Sequence, residues 1–468
     1  MSRAIWLSFV GALALGGCAA GPDYVSPTPQ APAQAPFVGA NDPAFTAEAP
    51  PESWWHLFAS PVLDRLVQEA LAANTDLRVA AANLEQARAL LRETRSQRLP
   101  STTVNGGGGY GRTSGAAAGL PGPGPEGETY DAGLDISYQL DLFGGIRRGI
   151  EASRADLGAA QAAYDLARIS VVAETARAYA DACSAGRQLA VARESLRVQE
   201  QTFDLTRRLE EGGRGTGLDT SRAAALLEQT RADVPTFEAE RKAALYRLAV
   251  LTGKPPADFP ADVAQCETPP AIAEALPVGD GAQLLARRPD VRAAERRLAA
   301  ATARVGVATA DLYPKVTLGG SVGSTAGSAD DLVSSRGFRF SLGPLISWSF
   351  PNMSAARARL AQAKAVSQGA LATFDGTWLT ALQESESALA RYAAGRERLA
   401  TLTRAHAQSQ EAARIARLRY QAGAESFQIV LDAERSLAST EALLAVSQAN
   451  FSDQTIALFL ALGGGWES

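Results

Sequence analysis

Three groups of residues in this 468-residue chain have the types and spacing to do chemistry. Gly106-x-Gly108-x-x-Gly111 matches the glycine spacing that lets a backbone approach a dinucleotide pyrophosphate, but that chemistry needs a helix opening directly after it, and none does. The two histidines, His56 and His406, are far apart in sequence and form no zinc or triad constellation. No glycine loop ends in Lys-Ser or Lys-Thr, so any energy must come from a partner. Carboxylates are plentiful, yet many sit one helical turn from a cation, as Glu194 does from Arg197 and Glu238 from Lys242, which reads as solvated pairing. No catalytic site, cofactor or metal is therefore expected, and the chain does not read as an enzyme. The third group is the cysteines, Cys18, Cys183 and Cys266.

Cys18 ends a stretch with one cation, Arg3, and an apolar run from Val10 to Leu15. That run is too short to cross a membrane as a helix, so residues 1–17 read as a secretory signal. Leu15-Gly16-Gly17-Cys18 resembles a bacterial lipobox, in which Cys18 becomes the lipidated first residue; the alternative is an ordinary cleaved signal beside a chance cysteine. Ala19 stands where inner-membrane lipoproteins tend to have Asp, which points to the outer membrane. Residues 18–60 are rich in Pro and Ala and read as an extended, lipid-anchored tether, with Trp54, Trp55 and Phe58 docking its far end. Net charge is only -5, and the arginines from Arg287 to Arg297 are interleaved with acids, so no nucleic-acid partner is expected.

These residues need elements to position them, and the elements come in duplicate. Asp76-Leu77-Arg78 leads to Leu99-Pro100 as Asp290-Val291-Arg292 leads to Tyr313-Pro314. Leu218-Asp219-x-x-Arg222 answers Leu431-Asp432-x-x-Arg435, and Ala249 to Gly253 answers Leu460 to Gly464. The first repeat covers 61–253, a Pro-rich linker 254–279, and the second repeat 280–468. Each reads as helix, strand, strand, long helix, turn, helix. The first helix carries its period through Leu63, Leu66, Val67, Leu71 and Leu77 and stops at Pro100. Tyr130, Leu134, Ile136, Tyr138 and Leu140 alternate with Asp131, Asp135, Ser137 and Gln139, so one face of that strand meets oil and the other water. Phe338, Phe340, Leu342 and Ile346 repeat the pattern. Gly144–Glu211 and Met353–Ala422 carry no Pro, and each can run as one helix of about 100 Å. Such lengths mean a coiled coil or a structure bridging a gap.

Strands of this length can cross a bilayer, but four per chain cannot close a barrel, and an open edge is not tolerated in lipid. Several chains must contribute. A dimer of about eight strands fills its interior with side chains, whereas a trimer of about twelve leaves a water-filled bore. The expected fold is an α+β membrane protein, with long antiparallel helices forming a tunnel below a shared barrel.

At this point the chain resembles the TolC-like outer membrane factors, and within them the lipoprotein (NodT-type) branch serving resistance-nodulation-division pumps. The resemblance rests on Cys18-Ala19-Ala20-Gly21-Pro22-Asp23-Tyr24, Tyr138 to Gly145, Arg287-Arg288-Pro289-Asp290-Val291, and Tyr420-x-x-Gly423 with Leu431-Asp432. It implies a homotrimeric exit duct in the outer membrane that passively conducts what a periplasmic adaptor and an inner-membrane pump deliver. The rival functions are the outer-membrane component of type I protein secretion and a structural coiled-coil lipoprotein of the envelope. Each repeat turns through glycines, Gly212 to Gly217 and Gly423. By resemblance Asp432 matches a constricting acidic ring, while Asp219 and Tyr420 match a link that holds the gate shut; an Asp just after a turn is also an ordinary helix cap. Glu425, where the family often has Arg, and Ile429, where TolC has an acid, depart from that pattern. Counting helix rise puts Cys183 about 44 Å above the lower turn, and Cys266 follows a returning helix of about 53 Å, so both should reach the family's equatorial belt. They are either bridged or two buried thiols.

Overall fold

The computed structural model describes residues 19–28, 31–116, 119, 121–272 and 274–464. Cys18 lies outside the described residues. A two-residue strand β1 (Phe45–Thr46) precedes α1 (Pro61–Ala73) and α2 (Thr75–Ser96). Then come strands β2 (Ser101–Arg112) and β3 (Glu126–Leu140), the long helix α3 (Gly145–Glu211), and α4 (Gly217–Leu251). After the two-residue strand β4 (Leu276–Pro277) the order recurs as α5 (Gly281–Arg287), α6 (Pro289–Ala310), β5 (Lys315–Ala326), β6 (Phe338–Ser347), α7 (Ser354–Gln421) and α8 (Phe427–Ala461). No described helix is long and apolar enough to cross a membrane.

The single helix expected from Leu63 to Pro100 is two helices. Asn74, 3% exposed, is left outside the helical pattern between α1 and α2. Its side-chain oxygen accepts from the N–H of Asp76 at 2.9 Å and of Leu77 at 3.2 Å, satisfying orphan donors of α2. Its amide donates to the Leu251 carbonyl at 3.1 Å, so the break also ties the helix pair to the end of α4.

The chain forms two compact units. One holds the N-terminal residues before Thr28 with Asn83–Gln161 and Ala293–Asp375. Its centre is a four-stranded antiparallel sheet in the order β2-β3-β5-β6. The register places Val104, Leu134, Val322 and Phe340 in one row, and Thr102, Ile136, Gly320 and Leu342 in another on the same face. Phe340 and Leu342 are 76% and 78% exposed in a single chain, so something beyond this chain must cover that face. The opposite face carries Thr103, Asn105, Asp131, Asp135, Ser321, Thr325, Arg339 and Ser341, with Leu345 its large apolar exception. Where strands give way to helices, Phe143 stacks on Tyr313 with centroids 4.6 Å apart, and the Trp348 indole donates to the Leu312 carbonyl at 3.1 Å.

The N-terminal segment is tied to the folded chain along its length. In this unit Ala20 N–H donates to the Phe143 carbonyl at 3.0 Å, and buried Arg148 reaches both the Ala20 carbonyl at 3.3 Å and Asp23 at 2.6 Å. Tyr24 donates to Glu295 at 2.7 Å; burial first and that carboxylate second push its phenol up to about 12.

The other unit comprises Thr28–Ala82, Ala162–Arg292 and the chain from Gly376 onward. Here the middle of α3 is buried on nearly all sides, through Val172, Ala173, Ala176, Ala178, Ala180 and Ala182, and such small side chains let neighbouring helices approach closely. The aromatic end of the N-terminal segment completes this core. Trp54, 1% exposed, stacks on Phe459 at 5.0 Å, and β1 pairs in parallel with β4. Glu386 accepts the backbone N–H groups of Val38 and Gly39 at 2.6 and 3.0 Å.

Candidate functional site: the two helix turns

Both long helices end alike. At the end of α3 Gly213, at φ 69°, donates to the Glu210 carbonyl at 2.9 Å while Arg214 N–H reaches back to Leu209 at 2.8 Å. At the end of α7 Gly423, at φ 72°, donates to the Tyr420 carbonyl at 2.9 Å and Ala424 reaches Arg419 at 2.9 Å. This bond pair is the glycine stop that satisfies the last carbonyls of a helix, and its positive φ explains why glycine stands at both places.

The helices that leave these stops start differently. Thr216 caps α4: its Oγ1 accepts from Asp219 N–H at 3.3 Å and donates to Asp219 Oδ2 at 2.7 Å, a reciprocal capping arrangement. Ser426 caps α8 without a side-chain bond, and three residues on stands Ile429. The structural counterpart of Asp219 is therefore Ile429. The sequence match of Leu218-Asp219 with Leu431-Asp432 is three residues out of register, because the glycine stops Gly213 and Gly423 and the 35-residue helices α4 and α8 align at a different offset. Asp432 sits where the first repeat has Arg222.

Those two positions are nevertheless linked. Arg222 Nη1 donates to Gln428 Oε1 at 3.0 Å, and Gln428 Nε2 donates to both carboxylate oxygens of Asp432 at 3.0 and 3.1 Å. A relay thus joins α4 to α8 at the turn. Beside it Phe427, Val430 and Leu431 are buried with Ala223, Leu226 and Ala416, and Tyr420 lays its ring 5.5 Å from Phe427. Burial first, and the Asp219 charge second, push the Tyr420 phenol up. So the structure brings Asp219 near Tyr420, but Asp219 spends its hydrogen bonds on Thr216. Glu425 lies 3.5 Å from Arg419 in its own turn.

Sequence reasoning missed three features. Arg222 and Gln428 form the relay just described. Glu434, 3% exposed, lies between Gln199 at 3.3 Å and Arg417 at 3.1 Å, and burial pushes its carboxyl up against the pull of Arg417. One step further, Glu441 accepts from Ser195 at 2.9 Å and faces His406 at 3.4 Å. Polar residues at helical spacing carry no signal that separates such buried rungs from a solvated face.

The remaining candidates are dispersed. His56 pairs with Asp64 at 2.7 Å, separately from the His406 pair. Gly106 to Gly111 lie within β2, which turns back into β3 rather than opening a helix. Cys183, 0% exposed, forms a disulfide with Cys266 across 83 residues, with Cα atoms 4.7 Å apart. The strap carrying Cys266 passes so close to α3 that a Cβ on Gly186 would stand 2.0 Å from the Cys266 carbonyl oxygen.

The geometry is that of a long-helix protein with an amphipathic sheet, and comparison with known proteins accords with it. Nodulation protein T of Rhizobium leguminosarum bv. trifolii is 30% identical over 454 residues, covering 97% of this chain and 96% of that protein. The probable efflux pump outer membrane protein TtgC of Pseudomonas putida is 31% identical over 472 residues, covering 100% of this chain and 96% of that protein. The solved structure of the outer-membrane channel OprN is 40% identical with a TM-score of 0.90, over 96% of this chain and 100% of that one. The family model described as outer membrane efflux protein matches residues 66–254 and 281–464, and the chain belongs to that family.

Proposed function

We propose that this protein is the exit duct of a tripartite efflux system, a homotrimer whose sheets close one barrel in the outer membrane and whose long helices form a periplasmic tunnel. The observation that carries the proposal is the sheet. It has one polar and one exposed apolar face, and its outer strands β2 and β6 leave unpaired edges among the described residues. Three copies supply about twelve strands, remove every edge and place the polar faces around a bore. The duct conducts passively and is not an enzyme. A periplasmic adaptor and an inner-membrane resistance-nodulation-division pump supply the substrate and the energy. Relatives named as efflux pump outer membrane proteins favour this over protein secretion.

The signal at 1–17 sends the chain across the inner membrane, and Cys18 carries the lipid. Ala19 is held against the strand-to-helix junction, where a Cβ on Gly144 would stand 2.8 Å from its Cα. The turn cluster is the gate: Asp432 contributes one carboxylate per chain to the lower opening, and Asp219 with Tyr420 borders the closed packing. Extraction of outer membranes in mild detergent tests the assembly. The expected product is an oligomer that survives unheated electrophoresis and falls to monomers on boiling; a monomer in every mild detergent contradicts it.

A further inference from the structure

The polar face of the sheet contains a row whose two central positions carry no side chain. Asn105, Gly133, Gly323 and Arg339 stand opposite one another across β2, β3, β5 and β6. A Cβ on Gly323 would stand 2.5 Å from the Ala132 carbonyl oxygen, and one on Gly133 would stand 3.5 Å from Arg339 Nη2. Arg339 passes over Gly133, reaching from the edge strand β6 across β5 to β3. There its Nη2 donates to Asp131 Oδ1 at 2.7 Å and its Nε donates to Thr325 Oγ1 at 2.9 Å, while Thr325 donates to the same Asp131 oxygen at 2.7 Å.

The second carboxylate of this face is treated differently. Asp135 accepts from the neutral amide of Asn105 and makes no ion pair among the described residues. Lys315, the other cation on the face, is 2.9 Å from Asp311. The charge of Asp131 is compensated on the spot, and that of Asp135 is not.

We infer that the sheet carries its own charge filter: Arg339 masks Asp131, and Asp135 is the carboxylate that sets the ion preference of the bore. The inference rests on the reading that the polar faces of several chains line a water-filled barrel. Asp135 then recurs once per chain around the wall, at a place separate from the Asp432 ring. A paired charge acts as a short dipole whose field falls off quickly, whereas a lone carboxylate attracts cations over a Debye length, about 10 Å at 0.1 M salt and about 3 Å at 1 M.

Planar-bilayer reversal potentials of the full-length protein in KCl gradients test this, using Arg339→Gln, Asp131→Asn and Asp135→Asn. Near 0.1 M, Arg339→Gln should raise the cation-to-anion permeability ratio about twofold by unmasking Asp131, and each Asp→Asn variant should lower it by a similar factor. All should converge on the wild-type value near 1 M. Opposite signs from the two partners of one ion pair separate an electrostatic role from a merely structural one, which would shift both the same way. Should Arg339→Gln not assemble, Asp131→Asn still decides, because it leaves the guanidinium unpaired. Unchanged low-salt reversal potentials in Asp135→Asn and Asp131→Asn, with oligomers intact, overturn the filter. A wild-type protein that assembles but never conducts overturns the channel itself, whatever the variants do.

Discussion

Asp219 and Asp432 look equivalent in the sequence, yet they do different work. Asp219 accepts from the Thr216 hydroxyl, but its backbone N–H bond to Thr216 does not need the side chain, so Asp219→Ala should loosen the start of α4 by only about 0.5 kcal/mol, through the lost acid in the first turn. Asp432 is held by Gln428 and through it by Arg222, and it is exposed at the helix surface. Asp432→Ala should therefore lower cation selectivity in single-channel recordings. Tyr420→Phe keeps the ring on Phe427 and should change little alone; combined with Asp219→Ala it should raise single-channel conductance by loosening the closed packing. Unchanged conductance and ion preference in both Asp432→Ala and the double variant, with oligomers intact, places the constriction elsewhere. Cys18 has its own check: mass spectrometry of the mature protein should find a diacylglycerol-modified cysteine at its N-terminus, and an unmodified start at another residue contradicts lipidation. The glycine stops were legible because their positive φ strongly favours glycine, while the relay through Gln428 was not, since an amide at a helical surface position looks like any solvated residue.

Among the elements, the long helices and the alternating strands stood out because period and length are one-dimensional signals: α3 begins within a residue of its Pro-free run and ends with it, whereas β3 starts at Glu126, four residues before the alternation at Tyr130. The break at Asn74 stayed hidden because its cause, a carbonyl at the end of α4, is distant in sequence. The disulfide ties the strap after α4 to α3, and closing 83 residues should contribute about 2–4 kcal/mol. Labelling of unreduced, denatured protein should modify neither Cys183 nor Cys266, and Cys183→Ser should lower the temperature at which oligomers dissociate; two labelled thiols exclude the bridge. On α3 the Asp181 carboxyl faces Asp453 of α8 and Arg247 of α4, with Glu174 and Arg177 on its own helix. Burial first and Asp453 second push it up to about 6, against the pull of both arginines. A raised carboxyl favours the folded state in its protonated form, so its contribution is complete below the unfolded value near 3.8 and is lost as pH rises through about 6. Lowering the pH from about 7 to about 5 should raise the dissociation temperature, and Asp181→Asn should flatten that rise; an equal slope in the variant assigns the dependence to other groups.

For the molecule as a whole, the decisive property is that a single chain is unfinished. Among the described residues its sheet leaves two edges open, and it exposes Phe340 and Leu342 on the face that the pattern assigns to lipid. The helices repeat a bond pattern at both turns, and the disulfide and the stacked Trp54 tie the strap and the N-terminal segment to the helical core. What the repeats alone could not reveal is the small offset between the halves that puts Ile429, rather than Asp432, opposite Asp219. The central claim is that three such chains make one water-filled duct. Its most direct test is reconstitution of the purified full-length protein into planar bilayers, with the mass of the conducting species determined in detergent. The expected result is stepwise ion conductance from a species of three chains; a folded, membrane-inserted protein that is monomeric or dimeric, or that never conducts, contradicts it.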